Sequence, residues 1–140
     1  MLSLKPKDEN LYQILTDTKV IAVVGHSDKP YRTSYQIAQF LSLVGYTVYP
    51  VNPQVKTIDT DPSYGSLRDI PKNIDLVNIF RRSEYLSEII DEAIAVGAKT
   101  IWAQSGIYNE SAAQKAQNAG LNVIMNACIK VEYLRLMGNS

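Results

Sequence analysis

Short β-branched and apolar runs alternate with amphipathic segments along almost the whole chain, and the two kinds of segment carry different periods. Five runs read as buried strands: 20–24, 47–51, 76–80, 100–103 and 122–125. Between the first two, residues 34–44 place Ile37, Ala38, Phe40, Leu41 and Val44 at helical spacing, and Gly45 follows where a helix end favours glycine. The same grammar recurs at 84–96, closed by Gly97, and at 109–119, closed by Gly120. Residues 8–16 offer Leu11, Ile14 and Leu15 as one apolar stripe, which predicts an N-terminal helix, and 129–137 reads as a C-terminal one. The longest irregular stretch is 53–65, with Pro53, Pro62 and Gly65; one short helical turn at 66–69 is expected after it.

Strands that are apolar on both faces and separated by helices argue for a parallel sheet covered on both sides. The expected fold is therefore α/β, a Rossmann-like three-layer arrangement with a five-stranded parallel sheet and helices on both faces. Its simplest strand order is 3-2-1-4-5. Ligands in such sheets bind beyond the carboxyl ends of the strands, which here are 25–27, 50–53, 80–82 and 104–106, four segments expected to converge on one crevice.

Composition narrows the partners. At 140 residues the chain is expected to form one domain, 1–140, able to bury a core without metals or disulfides. Fourteen basic and fourteen acidic side chains cancel, so no global field draws it to nucleic acid or an anionic membrane, and any anion site must be local. Cys128 is the single cysteine, which excludes a disulfide framework and suits a reducing compartment. The N-terminal Met1 to Asp8 segment lacks the apolar stretch of a signal peptide, and no run is long enough to span a bilayer; a cytoplasmic protein is expected.

The first strand ends in Gly25-His26-Ser27 and leads into a helix, the arrangement in which free backbone N–H groups and a helix N-terminus hold phosphate. The dinucleotide fingerprint G-x-G-x-x-G is met only at its first position, since Ser27 and Pro30 stand at the other two. A ribose-binding acid is also missing from Tyr49-Pro50-Val51-Asn52-Pro53; the next carboxylates are Asp59 and Asp61. Both departures count against NAD. The corner offers instead Ser27, Lys29, Arg32, Thr33 and Ser34, with Lys56 in the next loop and Arg81-Arg82 after the third strand, a set suited to a ligand with several phosphates. One of the two adjacent arginines is expected to point to solvent.

Other candidates favour structure over chemistry. His26, the single histidine, has no partner carboxylate or nucleophile indicated; its backbone is expected to serve the turn while the ring contacts ligand or solvent. Cys128 precedes a helix and is read as a buried structural thiol, the alternative being a mixed disulfide with a thiol ligand. Trp102 lies in a strand and reads as core, and Glu88, Asp91 and Glu92 fall on an exposed helix face with no histidine to complete a metal site. No catalytic and no metal-binding residues are assigned.

The chain resembles the small stand-alone CoA-binding proteins related to the nucleotide-binding domain of the succinyl-CoA synthetase α subunit. The resemblance rests on Val23-Val24-Gly25-His26-Ser27, Arg32-Thr33-Ser34-Tyr35, Tyr49-Pro50-Val51-Asn52-Pro53, Ser66-Leu67-Arg68-Asp69-Ile70-Pro71 and Ile79-Phe80-Arg81-Arg82. It continues through Gly97-Ala98-Lys99, Trp102-Ala103-Gln104-Ser105-Gly106, Asn109-Glu110 and Cys128-Ile129-Lys130-Val131-Glu132, nearly the whole chain in order. It implies a Rossmann-like fold that binds coenzyme A or an acyl-CoA. Carried over by position, Gly25 and Ser27 line the pyrophosphate turn with Arg32 close to phosphate; Asn52 and Pro53 flank the adenosine; Phe80 and Arg81 lie along the ligand; Gln104 and Gly106 border the pantetheine arm. The chain departs from many relatives at Met125-Asn126-Ala127-Cys128, where they have an acidic and a basic residue before the cysteine, and at Glu132-Tyr133, where they have histidine second. Its loop at 56–63 also lacks their glycine-glutamate pair. The phosphohistidine domain of the synthetase has no counterpart in the chain, so the expectation is a small-molecule binder without catalysis. The alternatives are a nicotinamide-dependent oxidoreductase or other nucleotide enzyme, and a regulatory module that reports CoA status to a partner protein.

Overall fold

In a computed structural model of the chain, residues 3–138 are described. Met1 and Leu2, part of the N-terminal segment read above, lie outside them. Twelve helices and strands follow in order: α1 (Asp8–Asp17), β1 (Val20–Val24), α2 (Thr33–Leu43), β2 (Thr47–Val51), β3 (Thr57–Ile58), β4 (Asp61–Pro62), β5 (Leu76–Ile79), α3 (Leu86–Ala95), β6 (Thr100–Ala103), α4 (Glu110–Asn118), β7 (Asn122–Ile124) and α5 (Ile129–Met137). The turn expected at 66–69 is a 3-10 turn, Leu67–Asp69. The irregular 53–65 stretch contains the antiparallel pair β3–β4.

The main sheet is parallel, five-stranded and ordered β2-β1-β5-β6-β7. In the numbering of the five expected strands this is 2-1-3-4-5 and not 3-2-1-4-5, so the expected order is corrected. Pro50 supplies the physical reason. Val51 O accepts the Gly25 N–H, which turns the preceding residue, Pro50, away from β1. A residue that cannot donate is tolerated on the outer side of an edge strand and not between two strands. That edge is closed locally by the returning chain, where Tyr64 N–H donates to Pro50 O at 3.0 Å and Asn52 N–H to Tyr64 O at 2.9 Å.

Alternation along each strand sends side chains into two cores. Ile21, Val23, Leu76, Trp102 and Ile124 pack against α1, α2 and α5. Ala22, Val24, Val77, Ile79, Ile101 and Val123 pack against α3 and α4. Trp102 is core, as expected, and its indole N–H donates to Ala127 O at 2.9 Å, tying β6 to the start of α5. No helix among the described residues is long and apolar enough to cross a membrane.

The revised order moves the reversal point. β1 connects through α2 to β2 on one side, while β5 connects through α3 to β6 on the other, so the crevice opens between the carboxyl ends of β1 and β5. In the expected order it would have opened between β1 and the strand ending at Gln104.

Candidate functional site

The crevice is built around one close approach. Gly25, at φ +86°, ends β1 so near to β5 that a Cβ on it would lie 2.8 Å from Phe80 O and 3.3 Å from Arg81 Cδ. Only glycine meets both demands, a left-handed backbone and no side chain. The two strand ends therefore form a single ridge, with a depression on either side.

On the α2 side the depression has a volume of about 700 Å³ and is lined by the turn itself, by the start of α2 and by Asn52, Gln54 and Val55 after β2. Ser27, Lys29, Arg32 and Ser34 all face it. The first i to i−4 bond of α2 is Gln36 N–H to Arg32 O at 3.1 Å, so the N–H groups of Thr33, Ser34 and Tyr35 have no intrahelical acceptor, and Thr33 and Ser34 line this depression at the positive end of the helix dipole. Arg32 precedes the helix without capping it by its side chain.

On the α3 side the depression has a volume of about 540 Å³, with Val24, Val51, Leu67 and Ile89 as its apolar floor and Arg81, Glu88 and Glu92 on its walls. Gly25, Asn52, Gln54 and Phe80 border both depressions, which form one groove across the ridge. Arg81 is half-buried and its guanidinium lies 4.3 Å from the ring centroid of Tyr85, whereas Arg82 is exposed beside Glu84 at 3.9 Å, as expected of one arginine in the pair. Among the described residues no carboxylate pairs with Lys29, Arg32 or Arg81.

Of the nine site residues expected from sequence, Gly25, Ser27, Arg32, Asn52, Pro53, Phe80 and Arg81 come together on this groove. Gln104 and Gly106 line neither depression, because β5 stands between them and β1. Gln104 is 4% exposed and its Oε1 accepts the Ile129 N–H at 3.0 Å, holding the start of α5. The Gly106 N–H, exposed at the end of β6, donates to Asn126 Oδ1 at 2.7 Å.

The imidazole of His26 is corrected from its expected place on ligand or solvent. It is 5% exposed, turned beneath the groove and perpendicular to the Tyr35 ring, 5.9 Å between centroids, and its Nδ1 lies 2.8 Å from Ser27 O. Burial pushes it below the ordinary histidine value, a trend that the Ser27 carbonyl and the Asp59 carboxylate oppose without reversing. Asp59 stands at the tip of the β3–β4 hairpin and accepts from Tyr35 Oη at 2.8 and 2.9 Å and from Gln39 Nε2 at 3.1 Å, so the hairpin is fastened to α2.

One wall residue escapes a reading of the sequence. Glu92 is half-buried and not on open surface, because the 3-10 turn docks on α3: the Leu67 N–H donates to Glu92 Oε1, whereas Glu88 borders the groove from an exposed position, as the helix face predicts. Helical periodicity carries no signal for a contact with so distant a segment. Cys128 is half-buried at the start of α5 and lines neither depression. Among the described residues no group of His, Cys, Asp and Glu is placed to hold a metal ion.

A family described as the CoA binding domain matches residues 19–134. An uncharacterised protein of Bacillus subtilis, YneT, is 41% identical over 128 residues, covering 91% of this chain and 95% of the relative. The solved structure of a hypothetical protein from Pyrococcus horikoshii superposes with a TM-score of 0.91 at 39% identity, covering 99% of this chain and 100% of that one. The ADP-forming acetate–CoA ligase I of Archaeoglobus fulgidus is 26% identical over 121 residues, which are 79% of this chain and 18% of the ligase.

Proposed function

The chain belongs to the family of CoA binding domains, and from that premise we propose that it binds coenzyme A or an acyl-CoA in the groove over Gly25, as a cytoplasmic binding protein without catalysis of its own. The observation that carries the reading is the set of unpaired cations Lys29, Arg32 and Arg81 around a glycine turn and a helix N-terminus, at a β2 end that offers a ribose no carboxylate. Phosphates would meet the α2 N–H groups, Ser27, Arg32 and Lys29. The adenosine would lie by Asn52 and Pro53, and the ligand would run along Phe80 and Arg81. Gly106, with Gln104 supporting it from beneath, would border the pantetheine arm.

The absence of catalysis is supported by His26, whose buried ring meets a backbone carbonyl and the Tyr35 ring in place of a nucleophile. The match to the acetate–CoA ligase covers 18% of that enzyme, too small a part to bring its reaction with it.

Native mass spectrometry of the purified protein, followed by calorimetry with CoA, acetyl-CoA, NAD and ATP, tests the reading. CoA or its thioester is expected to bind, and Arg32→Ala to weaken CoA and ADP alike by about 1–3 kcal/mol, the range of a lost charge-assisted bond. Tight NAD binding without CoA binding would overturn it.

A further inference from the structure

One peptide unit in the groove is gripped at both ends. The His26 carbonyl accepts from Asn52 Nδ2 at 2.9 Å, and the N–H of the same unit, that of Ser27, donates to Ser34 Oγ at 2.9 Å. In a trans peptide the C=O and N–H point in opposite directions, so partners on opposite sides remove the rotation of the plane. Asn52 belongs to the end of β2 and Ser34 to the first turn of α2; the plane is thus a crossbar between the two walls of the 700 Å³ depression.

Each polar group of Asn52 has a partner in the protein. Its Oδ1 accepts from the Gln54 N–H at 2.9 Å, its N–H donates to Tyr64 O at 2.9 Å, and its carbonyl accepts from Ser63 Oγ at 3.0 Å. Ser34 is largely buried, and its hydroxyl oxygen is the acceptor that sets the direction of the Ser27 N–H. Both residues border the groove, yet their polar atoms face the protein.

We propose that Asn52 and Ser34 are a positioning pair: they lock the His26–Ser27 peptide between β2 and α2 and thereby preset the seat of a diphosphate-containing ligand, with the Asn52 side-chain amide acting through the turn. The inference deepens the CoA reading and rests on it for the identity of the ligand. Preorganised donors bind a diphosphate without paying to orient themselves, so loosening the plane costs affinity although no ligand contact is removed.

The test combines Asn52→Asp, Ser34→Ala and the double variant. Asn52→Asp keeps the acceptor for Gln54 and the side-chain shape while losing the donor to His26. Amide hydrogen exchange by NMR reads the clamp directly: in each single variant the Ser27 amide should exchange at least about tenfold faster, while that of Val77 in β5 stays protected. Calorimetry should show CoA and ADP losing affinity by the same factor, about tenfold, the scale of one hydrogen bond. The double variant should be no weaker than the worse single one, because both act on one plane. Unchanged Ser27 exchange in Asn52→Asp, losses that multiply in the double variant, or a loss for CoA that ADP does not share would each overturn the proposal. Should Asn52→Asp not fold, Asn52→Ala takes its place under the same criteria. If the native protein binds neither CoA nor ADP, the CoA reading fails, and Ser27 exchange still decides whether the clamp exists.

Discussion

Gly25 and Phe80 touch where a side chain would have to be: a Cβ on Gly25 would stand 2.8 Å from the Phe80 carbonyl oxygen. Gly25→Ala therefore carries two penalties, the left-handed backbone, about 1–2 kcal/mol for an L-residue, and the displacement of the β5 end. Gly45 is the control, since it also has a positive φ, +110°, but a Cβ on it would meet nothing within 4 Å. Urea unfolding should show Gly25→Ala losing more stability than Gly45→Ala, and CoA binding should be lost only in the former. Equal effects would mean that the approach of β1 to β5 does not shape the groove.

Glu132 ties the ends of the chain together. Its nearly buried carboxylate accepts from Lys5 Nζ and Arg135 Nη2, both at 2.8 Å, and Arg135 also grips Asp8 through both of its Nη atoms. Burial alone would raise this carboxyl, but the hydrogen bonds from Arg135 and Lys5 outweigh it and hold the group below its ordinary value. The unfolded chain then takes up the proton first, so the contribution is intact above about pH 4.3 and is lost as the pH falls through the lower folded-state value. Glu132→Gln should cost about 1–3 kcal/mol at pH 7 and flatten the acid limb of a stability-versus-pH curve measured by urea unfolding.

Asn78 presents the opposite case. It is wholly buried in the middle of β5, in register with Val23 and Trp102, and neither atom of its amide has a hydrogen-bond partner among the described residues. Replacing an unsatisfied amide by an apolar side chain of similar shape removes a desolvation cost. Asn78→Leu is expected to stabilise the fold by about 1–2 kcal/mol, seen as a higher urea midpoint at unchanged slope; a loss of stability would show that the amide has a role the packing alone does not reveal.

The strands and helices were legible because each carries its own period and its own stop signal; β1, β2, β6 and α5 have the bounds that the hydrophobic pattern predicts. Strand order is not a local property, and the pattern alone left it open, but Pro50 did carry the information: a proline inside β2 marks an edge strand, which excludes the order that puts β2 in the middle. With the expected order the crevice would lie one strand away; the observed order leaves Gln104 and Gly106 off both depressions. The place of Gly25, Arg32 and Arg81 on the groove was legible because each stands at a strand end or a helix start that the hydrophobic pattern marks. That Asn52 faces the turn, that the His26 ring faces inward and that Glu92 reaches Leu67 depend on contacts between distant segments, for which a single sequence offers no period.

His26 offers a clean titration, being the only histidine in the chain. Its burial lowers the folded-state value beneath the unfolded one, so between the two the unfolded state binds more protons and stability rises with pH. Stability is thus expected to fall as the pH drops below about 6.5, and NMR titration of the single imidazole should give a midpoint beneath that value. His26→Asn should remove this slope between about pH 7 and 5 while leaving the more acidic limb set by Glu132. A midpoint at or above the ordinary value would contradict the buried, neutral ring.

Gln104 separates support from contact. Its buried Oε1 caps the Ile129 N–H at the start of α5, while Trp102 in β6 holds Ala127 O, so β6 and the residue that follows it fix the entry of the last helix twice. Gln104→Leu keeps the volume and leaves the Ile129 N–H without its acceptor, a loss of about 1–3 kcal/mol for a buried donor. Urea unfolding should register that loss, and calorimetry at a temperature where the variant is fully folded should give CoA affinity within about twofold of the native protein, since the side chain faces α5 and lines neither depression. Arg81→Ala should show the reverse, with CoA affinity lowered by an amount on the order of 1–3 kcal/mol and stability little changed. If Gln104→Leu instead abolished binding in the folded protein, the Gln104 side chain would have to touch the ligand itself and not stand behind Gly106.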